Sequence, residues 1–529
     1  MNEKNERSRI GLVIAGLLLG IIISAMDNTI VSTAMGSIIA DIGGMSKFIW
    51  VSSAYLIASV AGMPIYGKLS DMYGRKFFFV GGLLLFIGGS ALCGLSKSME
   101  QLIFSRALQG LGGGAIMPIA FTIIFDIIPS EQRGKISGLF GAAFGVSSIF
   151  GPLLGSFLSQ YVTWRLVFFV NVPIGIMSIL LLLKYYCESH SHPKQKIDWI
   201  GAALLVFSVT SLMFALEMGG KNFSWVSVPI ILLFSLFACC IAAFLIVEEK
   251  VSEPIVPLDL FKIRLFASSQ IVAFFYGTVF ITAIVFIPIF VQGVFGGTAT
   301  NSGLILMPMM LASVVGSQIG GMLASKLSYK SMMIGSVLLL ILGFTLMGSM
   351  TTDSTRWQMV LFMIITGIGV GTSFSVLTMS TLDGMPFNRM GSANSSLTFF
   401  RSVGMTLGVT IFGTIQNNIM QTGFISNIAG FSKFDLKLDA RALLQPQVRQ
   451  HIPENILTQM TGILSDSITK VFMWALVSLT LAFIFIIIMG NKRYIMAKSE
   501  KNVLREEVLP DVYETGRTGD FDGEKQSSL

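Results

Sequence analysis

Charge is scarce in this sequence. Of 529 residues only 12% are Asp, Glu, Lys or Arg, while 53% are hydrophobic. Soluble domains carry about 25% charged residues, so a soluble globule is excluded. Histidine is scarcer still: His190, His192 and His451 all fall in loops. No nucleophile–base pair or metal-ligand set can be assembled from them, and neither an enzyme nor a metal site is expected. The four cysteines, Cys93, Cys187, Cys239 and Cys240, lie in or beside apolar runs without ligand spacing. They read as packing residues rather than a disulfide framework. No G-x-x-x-x-G-K-[ST] loop occurs, so ATP does not power this chain. The formal excess of seven positive charges is dispersed among loops, which argues against nucleic-acid binding.

What the sequence does hold is long apolar runs. Fourteen segments of membrane-crossing length fall at about 10–33, 47–67, 77–96, 101–125, 136–160, 165–186, 197–217, 226–247, 265–293, 302–325, 331–349, 356–382, 391–420 and 467–490. No small-residue cleavage site follows the first, so it reads as a retained span rather than a signal peptide. Alternate short loops hold Lys68, Arg75 and Lys76; Arg133 and Lys135; Lys184, Lys194 and Lys196; Lys250, Lys262 and Arg264; Lys326 and Lys330; and Arg389. The opposite loops hold Lys47, Lys97, Arg165, Lys221 and Arg356. The positive-inside rule then sets both termini in the cytoplasm of a multi-pass cell-membrane protein.

The chain repeats itself. Gly110, Gly112, Gly114, Asp126, Pro129, Gly134 and Gly151 recur as Gly367, Gly369, Gly371, Asp383, Pro386, Gly391 and Gly408, at one constant offset of 257 residues. Seven matches in one register indicate an internal duplication, a common feature of transporter folds. Spans 1–6 then correspond to spans 9–14, and spans 7 and 8 are an insertion. The expected organisation is an N-terminal six-helix bundle (1–186), two inserted helices with linkers (187–264), a C-terminal six-helix bundle (265–490) and a charged cytoplasmic tail (491–529). Within the C-terminal bundle, residues 421–466 read as a folded extracellular loop.

Charges inside spans mark candidate sites, because each costs about 2.5–3.5 kcal/mol at a helix centre. Asp27 is expected about six residues from the outer end of span 1, roughly 9 Å deep at 1.5 Å per residue. Arg106 enters span 4 from the same side. If these helices are neighbours, the two side chains form either a structural ion pair or a titratable carboxylate tuned by a guanidinium. Arg401, near the middle of span 13, is a candidate cavity residue with no evident partner. Glu217, at the end of span 7, suits a solvated mouth. The loop from Gly67 to Lys76 has Gly74 for a tight turn and Arg75 for the charge rule. Its Asp71 can face the positive end of a helix, a contact worth up to about 2 kcal/mol that would act as a latch. The degenerate copy at Gly321–Lys330 lacks the aspartate. In span 5, Gly141, Gly145, Gly151 and Gly155 form small-xxx-small pairs, and Pro152 can bend the helix. Gly303, Gly316, Gly320 and Gly321 in span 10 offer a partner face.

Together these residues resemble the major facilitator superfamily, in particular its 14-helix drug/proton antiporter branch (EmrB/QacA type), close to Gram-positive multidrug exporters. Met26-Asp27-Asn28-Thr29-Ile30-Val31 is similar to the first-helix motif, though Ser32-Thr33-Ala34-Met35 replaces the usual asparagine and proline. Gly67–Lys76 resembles the cytoplasmic loop motif. Arg106-Ala-Leu-Gln109-Gly110 resembles the fourth-helix motif, which the family links to proton coupling. Gly145–Gly155 resembles the antiporter motif. Trp164-Arg165, Asn171-Val-Pro173-Ile-Gly175 and Ile197-Asp198-Trp199-Ile-Gly201 are similar to signatures of the 14-helix branch.

The resemblance implies an all-α major facilitator fold and a monomeric, proton-driven exporter of hydrophobic or cationic compounds, with no bound cofactor. Asp27, Arg106 and Gln109 would carry the coupling. Cavity walls rich in Met and Phe suit amphipathic substrates. Spans 9–13 lack a central acidic residue, so doubly charged substrates are not expected. Alternatives at this stage are an exporter of one metabolite, lipid or siderophore, a membrane subunit serving an adaptor, and a passive channel.

Overall fold

The structure, a computed structural model, describes residues 3–44, 47–128, 130–188, 197–220, 223–251, 253–296, 299–324, 326–427 and 454–493. These residues are helical nearly throughout. In order come α1 (Glu3–Ile42), α2 (Ile49–Tyr73), α3 (Arg75–Leu95), α4 (Met99–Ile127), α5 (Ser130–Tyr161), the short α6 (Leu166–Phe169) and α7 (Asn171–Tyr185). Then follow α8 (Trp199–Met218), α9 (Val228–Glu248), α10 (Arg264–Gly293), α11 (Ala299–Leu323), α12 (Tyr329–Gly348), α13 (Arg356–Leu382), α14 (Met390–Asn427) and α15 (Glu454–Ile488). Helices are what such apolar runs must form in lipid, since each satisfies its own backbone groups.

Among the described residues, twelve helical segments are long and apolar enough to cross a membrane, α6 and α7 counting as one. The two expected spans outside that set are α2 and α5, of 25 and 32 residues. Both are threaded with Ser, Gly and Pro, and both sit between protein neighbours: α2 against α4 and α14, α5 against α1 and α11. α2 is buried along most of its length, while α5 also exposes Phe150 and Phe157. At the other extreme is α9, whose apolar window is only 11% buried. The inserted pair packs α9 on α8, and α8 on α2 and α14, along the seam of the N-terminal and C-terminal groups.

The duplicated glycines explain how each group closes. A side chain at Gly110 or Gly114 would strike the α2 backbone at Tyr55 and Ser59, and one at Gly112 would strike α3 at Phe86. Their copies do the same one repeat later. Gly367 and Gly371 press on Met309 and Ser313 of α11, and Gly369 on Ser336 and Leu340 of α12. Small residues let α4 and α13 each touch two neighbours at backbone distance.

Three expected boundaries shift. α1 runs on to Ile42, about 22 Å beyond Asp27 at 1.5 Å per residue, past the expected end at 33. α15 begins at Glu454 rather than 467, and α14 continues to Asn427. Helix therefore enters the presumed 421–466 loop from both sides. Its centre, 428–453, and the tail beyond 493 lie outside the described residues, as do His190, His192, His451 and Pro129.

Candidate functional site

Two buried polar networks stand out. The first lies inside the N-terminal group. Asp27 and Arg106 are both completely buried and form an ion pair through Arg106 Nη1 and Asp27 Oδ2. Arg106 Nη1 also donates to Gln109 Oε1 at 2.7 Å, and Nε donates to the Val51 carbonyl at 3.0 Å. The guanidinium rests 4.4 Å from the centre of the Tyr55 ring. Asp27 Oδ1 accepts from Gln109 Nε2 at 2.7 Å and from Asn171 Nδ2 at 3.0 Å. Asn171 is fixed in turn by Ser90 Oγ at 3.1 Å. Helical spacing puts Arg106 and Gln109, three residues apart, on one face of α4, so both reach α1.

The network matches charge but is not closed: among the described residues, Arg106 Nη2 and Asn171 Oδ1 have no hydrogen-bond partner. Buried polar atoms in a purely structural network are normally satisfied. A buried ion pair is in any case weak evidence of stability, since desolvation offsets much of the Coulomb gain. Asp27 is thus held by three donors, Arg106, Gln109 and Asn171.

The second network sits where α2 turns into α3. Gly74 makes that turn alone, at φ 110°. A Cβ there would come within 2.8 Å of the Glu188 carboxylate, which accepts the Arg75 N–H. Asp71, nearly fully buried, caps the start of α14. Its Oδ1 accepts from the Gly391 N–H at 2.9 Å, and its Oδ2 from the Ser392 N–H at 2.8 Å and the Ser392 hydroxyl at 3.1 Å. The free first-turn amides and the helix dipole both favour an anion at this point. Arg75 holds the carboxylate in place at 3.4 Å and reaches Asp126 at 3.7 Å. Tyr186 donates to Asp126 at 3.2 Å, and burial beside that carboxylate pushes its phenol well above the ordinary value, so it stays a donor. Gly67 leaves the room that Ser395 and the Gly391 carbonyl occupy. Asn394 Nδ2 adds a bond to the Pro118 carbonyl of α4 at 2.9 Å. N-terminal and C-terminal groups are thus tied at one face of the layer.

Comparison with known proteins identifies the family. Residues 17–409 match the profile of the Major Facilitator Superfamily. The chain belongs to that family. It is 51% identical over 487 residues to "Multidrug resistance protein 3" of Bacillus subtilis, covering 91% of this chain and 95% of that protein. It is 34% identical to "Multidrug transporter protein MdtP" of the same organism, over 97% and 99% of the two. Among solved structures, the proton:xylose symporter XylE shares the fold at TM-score 0.54 and 15% identity, over 89% of this chain and 96% of that one. A bacterial homologue of the lysosomal transporter Spinster, inward-facing and unoccupied, does so at 0.55 and 17%, over 91% and 98%. This major facilitator protein is therefore a multi-pass membrane transporter and not an enzyme.

The remaining expected residues fall elsewhere in the facilitator fold. Gly151 and Gly155 face α1, where side chains would strike Thr29, and Thr33 with the Ile30 carbonyl. Pro152 lies inside α5, which continues to Tyr161. Gly145 belongs to α5, but its surroundings lie outside the described residues. α11, which carries Gly316 and Gly320, packs against α5 and also against α13. The two glycines press on Ile368 and Thr372 of α13, because the glycine ladder of α13 draws α11 inward. Arg401, on α14, belongs to neither network; its guanidinium lies 4.2 Å from the centre of the Phe374 ring. Glu217 is half-buried in the last turn of α8 and also joins neither.

Sequence reading missed Asn171, Ser90 and Tyr55 in the first network, and Ser392, Asn394, Asp126 and Tyr186 in the second. Asn171 was visible as an asparagine opening an apolar helix, a signal of a buried polar role. Ser392 and Asn394 gave none, since only the approach of α14 to α2 makes them partners.

Proposed function

We propose that this chain exports hydrophobic or cationic drugs in exchange for protons, its two six-helix halves (1–186 and 265–490) rocking about a central site. The relatives named as multidrug resistance and multidrug transporter proteins support the cargo class. The observation that carries the mechanism is the fully buried Asp27, held by Arg106, Gln109 and Asn171. Proton binding to Asp27 removes the charge that orders these three donors, and loosens α1 from α4. Substrate and proton then compete for one charge state, which gives each a differential affinity for the two conformations. The closed Asp71 network is a latch for the state in which its face is sealed. Gly151 and Gly155 give α1 and α5 the close interface that must slide, on the helix that also carries Gly145 and Pro152.

In this reading the chain crosses the membrane fourteen times, α2 and α5 included. The lysine and arginine distribution sets both termini and the Asp71 latch on the cytoplasmic side. The sealed latch then corresponds to a conformation closed to the cytoplasm. The protein works as a monomer, needing only substrate, protons and bilayer.

The test is drug-driven proton release from reconstituted vesicles, wild type against Asp27→Asn. Wild type is expected to release protons when drug is added, and the variant to lose that release. Equal coupling in both removes Asp27 from the mechanism, and export without proton flux removes antiport.

A further inference from the structure

Arg401 is a buried cation that neither network uses. It is 9% exposed, its Nη2 has no hydrogen-bond partner, and no described ionised side chain is close enough to act on it. The contrast with Arg106 is direct, since that arginine has a carboxylate, an amide and a carbonyl.

Local packing dictates where Arg401 points. Gly277 of α10 lies against the Arg401 carbonyl, Gly404 of α14 against that of Phe274, and Gly408 against Thr278. With α10 and α14 seated backbone to backbone, the side chain crosses to α13 and settles over Phe374. Phe374 is braced edge-on by Phe280, ring centres 5.5 Å apart, yet is itself only half-buried. The next residue, Ser402, contacts Met63 of α2 at 3.7 Å. The guanidinium therefore lies on the helix that borders the seam between the halves.

Resting on the efflux reading above, we infer that Arg401 and Phe374 form a subsite for aromatic anions, extending the cargo beyond cations. The unused N–H groups match a carboxylate or sulfonate, which a planar guanidinium binds in a fork. The aromatic ring occupies one face of the cation while the subsite is empty and stacks with an incoming planar ligand. A flat ring carrying one anionic group fits both halves of this pair.

The test uses the full-length chain in proteoliposomes with two probes, radiolabelled 1-naphthalenesulfonate and ethidium, under an imposed proton gradient. Arg401→Gln is expected to lower the ratio of naphthalenesulfonate to ethidium transport at least about tenfold, the factor carried by one charge-assisted hydrogen bond. Arg401→Lys keeps the charge without the fork and is expected to fall between them. If the glutamine variant does not give a monodisperse protein, the lysine variant decides by the same ratio. An unchanged ratio overturns the subsite, whether neither probe moves or both fall together. So does wild type that carries ethidium but not naphthalenesulfonate. Failure of wild type to carry ethidium strikes instead at the efflux reading.

Discussion

The two halves of this transporter share their packing and differ in their charge. α4 and α13 carry the same glycine ladder and press on their neighbours in the same way. Yet the offset that aligns those glycines puts Met363 opposite Arg106 and Thr366 opposite Gln109. Met363 is fully buried in an apolar core, and Thr366 bonds only to its own helix at 2.9 Å. α10 carries no charged residue after Arg264. Duplication thus kept the geometry that lets helices approach, and the ionic chemistry stayed in one copy. The latch divides the same way: Asp71 is on α2, and the amides that donate to it are on α14.

The most severe way to break this comparison is to strand the acid. Arg106→Met leaves Asp27 buried without its counter-charge, expected to cost about 3–5 kcal/mol of stability. Thermal unfolding in detergent reads the loss. A variant as stable as wild type would show that the pair is not buried in the working protein. Next, Met363→Arg asks whether the second half tolerates what the first contains. With no acid on α10 to meet it, the substitution is expected to cost about 2.5–3.5 kcal/mol, seen as reduced membrane yield and melting temperature. A neutral result would mean that a polar partner exists there after all.

Asp71→Asn sharpens the latch. Losing charged acceptors at the start of α14 is expected to cost about 1.5–3 kcal/mol. Exchange of the Gly391 and Ser392 amides should rise by tenfold or more, the factor that 1.4 kcal/mol carries. Amides as protected as in wild type would release Asp71 from this role. The mildest probe compares glycines across the halves. A Cβ at Gly151 would overlap the Thr29 hydroxyl, whereas at Gly320 the nearest atom is 3.2 Å away. Gly151→Ala is expected to lose about 1–3 kcal/mol, as overpacking does, and Gly320→Ala less. The reverse order in melting temperature would mean that α1 and α5 are not in close contact.

Much of this was legible in the chain. Asp27 and Arg106 stood out because charge in an apolar run is costly, and the structure brings them together as expected. Asp71 was readable as an anion suited to a helix end, but which end was not. Gly316 and Gly320 announced a close neighbour without naming α13, on which they press. The end of α1 was placed too early, at 33 rather than Ile42. Hydropathy falls near Ser32 and Thr33, where hydroxyls bond back to their own helix, Ser32 to Thr29 and Thr33 to Ile30. Such serines and threonines let a helix continue through a stretch that looks like its end.

The sequence by itself determined that this is a duplicated bundle of membrane helices carrying a deep acid and two deep arginines, because burial cost and periodicity act along the chain. Only the tertiary structure decided that Asn171 and Gln109 complete the acid's shell, that Asp71 caps α14 320 residues away, and that Arg401 has an aromatic ring where a carboxylate might be sought. Those outcomes depend on which helices meet, and contact between distant segments is set by packing in three dimensions.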